Sequence, residues 1–305
     1  MTPRLLVASL GIAWILLINI AFGASPNPAG MAEIIAKSSP GDWRTLDPGN
    51  TLYLELGSGQ VIIELCPEFA PQHVANVKDL VRERYFDGLS VLRCQDNYVV
   101  QWGDPNAEKP ELARPIKTGK KHLPPEFDRT LDRKLPFTPM PDADAYAPQT
   151  GLYDGFPIAR DRRSNRMWLI HTYGMVGAGR DNAPNSGGGT ELYAVIGHSP
   201  RHLDRNVTLF GRVVQGMELL SSLPRGKAAM GFYDKPEQRI PIRSIRLAEQ
   251  VPQPERTPIE IFRTDTPTFR RLIESRRNRP EEWFQLRANR IEIGNVPVPV
   301  RSLSK

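Results

Sequence analysis

Cysteine is nearly absent: the 305-residue chain holds two, Cys66 and Cys94. Two cysteines make neither a disulfide framework nor a four-thiolate metal site, and the expectation is a pair of buried free thiols. No catalytic partner for either sulfur is visible. Histidine is scarce as well, with five: His73, His122, His171, His198 and His202. Only His198 and His202 are close, and Ser199-Pro200 between them opposes the helix that would align two metal ligands. No metal and no cofactor is therefore expected. The glycine-rich stretch from Gly177 to Gly189 lacks the Gly-Lys-[Ser/Thr] end of a phosphate cradle. Basic runs interleaved with aromatics are missing too. The net charge of +6 is mild for the length and comes from arginines mixed with acids. That pattern describes a solvated surface and excludes a nucleic-acid partner.

What is present is enough apolar material for a core, 40% of the residues, with 29 prolines that imply many turns. The length suits one large domain with extensions, or two small ones. At the N-terminus Arg4 precedes an apolar run from Leu5 to Phe22, interrupted only by Ser9 and Asn19. Ala21-Phe22-Gly23 supplies the small residues a signal peptidase reads, so residues 1–23 are expected to be a removed export signal. The protein is then periplasmic or secreted. The alternative is an uncleaved inner-membrane anchor, since about 18 apolar residues is the lower limit for a span.

The chain is organised around Ser90 to Pro105. Two apolar runs, Val91-Leu92 and Tyr98-Val99-Val100, flank Gln95-Asp96-Asn97, a hairpin signal. With a three-residue loop centred on Asn97, Arg93 stands opposite Gln101, about 5 Å away at Cβ and on the same face. A two-residue loop would place them on opposite faces. Arg93, then Tyr98, Val99 and Gln101-Trp102-Gly103-Asp104, resemble the hairpin of cyclophilins, the peptidyl-prolyl cis-trans isomerases.

The resemblance extends in order on both sides. Upstream, Thr51–Leu56 and Gln60–Leu65 read as a hairpin around Gly57-Ser58-Gly59, followed by a proline-started helix over about 72–83 that includes Asn76. Val74, Val77, Leu80 and Val81 share one face of it. Downstream, Thr190-Glu191-Leu192-Tyr193 stands where the family begins a strand with Ser-Gln-Phe-Phe. His202-Leu203-Asp204 and the segment from Val207 to Leu220 match a further family stretch, and Arg239–Leu247 reads as the closing strand. A long departure over about 106–172 shows no sustained periodicity and is read as an inserted loop lying over the barrel surface; Met167–Ile170 and Tyr173–Val176 are its candidate strand fragments. Residues 250–305, with eleven Lys and Arg against seven Asp and Glu, read as a basic strap carrying a helix over 266–278. Phe269, Leu272, Ile273, Trp283 and Phe284 are expected to pack it on the barrel.

The fold implied is mainly β: a closed antiparallel eight-stranded cyclophilin-like barrel with two helices. Residues 24–48 are the linker, 49–249 the barrel with its insertion, and 250–305 an extension. The resemblance implies isomerisation of X-Pro bonds in envelope or secreted proteins, with Arg93 and Gln101 as catalytic residues. Tyr98, Val99, Gly179, Arg180, Glu191, Tyr193, His202 and Leu203 are the implied substrate contacts. Several depart from the family: Tyr193 replaces a phenylalanine, Glu191 a glutamine, His202 a tryptophan, and Gly179-Arg180 an Ala-Asn pair. The family's histidine falls at Asn206 or Val207. An ion pair between Arg180 and Glu191 across the groove is expected to alter peptide preference. Proline-containing polypeptides are the expected partners, with membrane association only through an uncleaved N-terminus. The alternative function is a non-catalytic peptide-binding, chaperone or scaffold module.

Overall fold

The computed structural model describes residues 29–303. Eight antiparallel strands close into a barrel: Thr51–Leu56, Gly59–Leu65, Ser90–Cys94, Val99–Gly103, Met175–Ala178, Leu192–Val195, Leu209–Gln215 and Ile240–Leu247. Alternation along each strand sorts the residues. Leu52, Leu54, Leu56, Val61, Ile63, Val100, Trp102, Val176, Leu192 and Ala194 turn inward to one core. The helix Pro71–Arg82 adds Val74, Val77, Leu80 and Val81 to that core. Fully burying each such side chain contributes about 1.5–3 kcal/mol. A five-residue helix, Met217–Ser221, buries Leu220 in the same place.

Residues 106–172 are not a structureless loop. They form a five-stranded antiparallel sheet in the order Arg129–Thr130, Arg166–Leu169, Phe156–Asp161, Gln149–Tyr153, Thr138–Pro139. The Asp154-Gly155 turn joins its central hairpin, with both residues at positive φ (45° and 86°) and Tyr153 paired to Phe156. Asp-Gly between apolar runs is a strong hairpin signal. The surrounding Pro, Asp and Arg obscure it in the sequence. The candidate fragment Met167–Ile170 is largely the strand Arg166–Leu169, whereas Tyr173–Val176 gives way to the barrel strand Met175–Ala178. The inserted sheet covers one outer wall of the barrel: Phe156, Ile158, Met167 and Leu169 pack with Val99, Met175, Tyr193, Val195 and Leu209.

The two ends of the chain also build structure. Trp43–Thr45 and Val300–Ser302 flank Ile259–Phe262 in a three-stranded sheet, so the expected linker is docked from residue 29 onward. Four α-helices are present among the described residues: the two of the barrel, the expected helix of the extension, Pro267–Asn278, and Met31–Ala36, which touches it. The extension packs chiefly on the insertion. Phe269, Leu272 and Ile273 are buried with Trp43, Leu152, Ala159, Trp168 and Ile170. Trp283, expected on the barrel, is 80% exposed and meets Phe284 edge-on. The proposed export signal lies outside the described residues, and no helix among those described is long and apolar enough to cross a membrane.

Candidate active site on the barrel wall

The hairpin turn runs Gln95–Tyr98, with Asn97 at φ 50° and the Gln95 N–H donating to the Val99 carbonyl at 2.9 Å. That is the three-residue loop, and it sets Arg93 opposite Gln101. Tyr193 pairs with Gln101 on the next strand, and Gly177 pairs with Tyr193 beyond it. Arg93, Gln101, Tyr193 and Gly177 therefore form one outward row across four strands. A Cβ at Gly177 would lie 2.5 Å from both Cζ and Oη of Tyr193, so the missing side chain is the slot in which that ring lies.

Arg93 is half-buried and held on several sides. Its Nη1 donates to Gln101 Oε1 at 2.9 Å, its Nε to the Met230 carbonyl at 2.6 Å, and its Nη2 to Gln95 Oε1. The Tyr98 and Phe232 rings each stand 5.4 Å from the guanidinium carbon. Burial draws the Arg93 guanidinium below its usual range. Three of its five N–H groups are engaged, which leaves one on each terminal nitrogen. Gln101 passes the chain on, donating from Nε2 to Glu191, whose carboxyl is pushed up by burial.

Val99 and Tyr193 lie in the apolar cluster beneath the insertion, at 3% and 5% exposure, with half-buried Tyr98 packed against them. His202 is exposed and parallel to the Tyr98 ring, 6.2 Å between centroids. Leu203 is half-buried on the turn Arg201–Leu203 and is not part of that cluster. Gly179 donates to the Glu191 carbonyl at 2.8 Å, and a Cβ there would approach Gln101 Nε2 to 3.2 Å.

The expected Arg180–Glu191 ion pair does not form. Arg180 turns away and donates to the carbonyls of Asn206 (2.8 Å), Asp181 (2.6 Å) and Asn182 (3.3 Å), with Phe127 under its guanidinium. Glu191 is taken by Gln101 instead. The glycine-rich loop is shaped by close backbone packing. A Cβ at Gly187 would sit 2.6 Å from the Gly179 carbonyl, and one at Gly188 equally close to that of Lys120. These glycines admit backbone against backbone. His73 Nε2 lies 2.9 Å from the Gly187 carbonyl, and Asn76 Nδ2 donates to that of Gly188 at 2.7 Å.

Sequence reasoning missed Gln95, Met230 and Phe232, which complete the setting of Arg93. Gly231, at φ 78°, admits their approach to the hairpin: a Cβ there would fall 2.6 Å from the Gln95 Cα. Both cysteines are buried and free, and burial raises both thiols.

Residues 51–247 match the family described as cyclophilin type peptidyl-prolyl cis-trans isomerase. The chain belongs to that family. A Brucella suis protein named "Probable peptidyl-prolyl cis-trans isomerase" is 29% identical over 189 residues, covering 60% of this chain and 76% of its own. A Synechocystis relative named as a thylakoid lumen peptidyl-prolyl cis-trans isomerase is 23% identical over 183 residues, 58% of this chain and 44% of its own. Among solved structures, the cyclophilin AquaCyp293 from Hirschia baltica superposes with a TM-score of 0.70 at 28% identity, over 89% of this chain and 96% of that one. That alignment spans more than the barrel, so much of what surrounds it here has a counterpart there.

Proposed function

We propose that this cyclophilin isomerises X-Pro bonds with Arg93 as the donor and Gln101 as the residue that aims it. The barrier to rotation, about 18–20 kcal/mol, falls when the amide loses double-bond character and the proline nitrogen gains a lone pair. Nothing has to be broken or transferred. A fixed N–H aimed at that lone pair stabilises the twisted state more than either planar one. The free N–H groups on the two terminal nitrogens of Arg93 are suited to this. In this reading Tyr98, Val99 and Tyr193 are the socket for the ring with Leu203 at its rim, and Gly179, Arg180, Glu191 and His202 border the flanking backbone. The observation carrying the reading is the 2.9 Å Arg93–Gln101 bond beside the apolar cluster. Arg93→Ala is expected to lower kcat/KM for a short X-Pro peptide about 10²-fold, the effect of deleting one transition-state donor, with the fold retained. A protease-coupled assay checks it; undiminished turnover would remove Arg93 from the mechanism.

The substrates we infer are exported polypeptides, and the barrel of residues 49–249, with its insertion, is the catalytic unit. The apolar run Leu5–Phe22 and the small residues after it support export, as does the thylakoid lumen relative. Mass spectrometry of protein from an exporting host should give a mature N-terminus near Ala24; an intact Met1 in the membrane fraction would identify an anchor.

A further inference from the structure

The Tyr193 hydroxyl is buried and needs a partner, because an unpaired buried phenol gives up its hydrogen bonds to water without replacement. His171, fully buried, provides one: Nε2 lies 2.8 Å from Tyr193 Oη, with the rings nearly parallel. On its other side His171 Nδ1 is 3.0 Å from Asp204 Oδ1, which also accepts the His171 backbone N–H at 2.9 Å. A carboxylate only accepts, so the network assigns the proton to Nδ1, leaves Nε2 bare and makes the Tyr193 hydroxyl the donor. Burial favours that state at both groups, lowering His171 and raising Tyr193.

The chain continues out of the barrel. Asp204 Oδ2 accepts from Arg201 Nε at 2.7 Å, and the two terminal nitrogens of Arg201 donate to Asp144 at 2.7 and 3.0 Å. The side chains of Arg201 and Asp144 are 2% and 5% exposed. Asp144 belongs to the insertion and is itself fixed by the backbone N–H groups of Tyr146 and Ala147, both at 2.9 Å. Arg201 and Asp204 also bracket His202 and Leu203, at the rim of the proposed groove.

We infer that the insertion, through its loop between Thr138–Pro139 and Gln149–Tyr153, holds the proline socket in shape by the chain Asp144–Arg201–Asp204–His171–Tyr193, with Asp144 and Arg201 as positioning residues. The inference rests on reading Tyr193 as part of that socket. A phenylalanine would fill the site without any of these four partners. A buried ionic chain is costly to desolvate, and its return is a defined arrangement. Here the arrangement is the angle of the Tyr193 ring in the Gly177 slot, set from residues that never touch the substrate.

The test is a double-mutant cycle in the full-length protein, with imidazole ¹⁵N spectra as a readout independent of activity. Wild type should show His171 protonated at Nδ1 only, and Tyr193→Phe should shift its Nε2 resonance. Asp144→Asn should blur the tautomer preference and lower kcat/KM on the order of tenfold, within the range of coupled buried contacts. Asp144→Glu should restore part of both. The decisive comparison is Asp144→Asn in the Tyr193→Phe background, where the further loss should nearly vanish. An undiminished tenfold loss there, or an unchanged His171 tautomer in Asp144→Asn, would overturn the relay. If Asp144→Asn does not fold, His171→Gln is measured in the same two backgrounds and must show the same dependence on Tyr193. An inactive wild type with the expected tautomer would count against the isomerase reading alone.

Discussion

At His171 the cost of burial becomes a dependence on pH. Burial lowers its affinity for a proton, against the pull of Asp204. Above the ordinary value of 6.5 the ring is neutral in both folded and unfolded chains, and this group gives no slope. As pH falls below 6.5 the unfolded chain takes up a proton that the folded one refuses, so stability drops. Glu191 and Asp154, raised by burial, act with the opposite sign, because the folded state protonates them first. The difference between wild type and His171→Gln isolates the histidine. The urea midpoint of wild type should fall further than that of the variant between pH 7.5 and 5.5, and equal falls would refute the assignment.

At the scale of elements, the helix Pro71–Arg82 begins without a cap of its own, since its N-cap residue is Ala70. Glu126, from the insertion, supplies the acceptors: its carboxylate takes the N–H groups of Gln72 and His73 at 3.0 and 2.9 Å and meets His73 Nδ1 at 2.7 Å. A carboxylate at a helix N-terminus also meets the favourable end of the dipole. Glu126→Ala should cost about 1–2 kcal/mol, the range for a lost cap, and Glu126→Gln less. Chemical unfolding would measure both; a neutral Glu126→Ala would mean that water replaces the cap. Asn76 extends the same seam, donating to Lys120 and Gly188 carbonyls at 2.8 and 2.7 Å and accepting the Lys120 N–H at 2.8 Å. The helix, the insertion and the glycine loop are thus joined by the side chains of His73, Asn76 and Glu126, with the glycine loop supplying backbone carbonyls.

For the whole molecule, the consequence is that the barrel does not stand alone. Tyr53 and Ile62 point out of the barrel and are covered by Ile259. Trp43, Trp168 and Ile170 share a cluster with Phe262, Phe269, Leu272 and Ile273 from the extension. Truncation after Gln250 would expose these faces and leave Trp43–Thr45 without its pairing strand. Even five uncovered large side chains correspond to about 7–15 kcal/mol, comparable with the whole stability of a typical domain. Residues 1–250 are expected to be insoluble or rapidly proteolysed, as pulse proteolysis against the full chain would reveal. A protease-resistant, cooperatively unfolding truncation would show the extension to be dispensable.

Local chemistry in the sequence determined the first barrel hairpin, the alternating closing strand and the proline-started helix, because such patterns act between near neighbours. The same holds for the helix over 266–278, whose Thr266 hydroxyl accepts from the Phe269 N–H at 3.1 Å. The strands around Tyr193 and Val207 followed from the family resemblance, and the Arg93–Gln101 register was settled by the three-residue turn of the structure. Contacts between distant segments were decided only by the tertiary structure. Arg180 and Glu191 look like an ion pair in sequence, yet carbonyls nearer to Arg180 and the amide of Gln101 take their place. Trp283 reads as a packing residue and is left in solvent, while Asp144, 49 positions before Tyr193, joins it through three intermediaries. Such partnerships depend on which backbone the fold brings within about 3 Å, a distance that no spacing along the chain encodes.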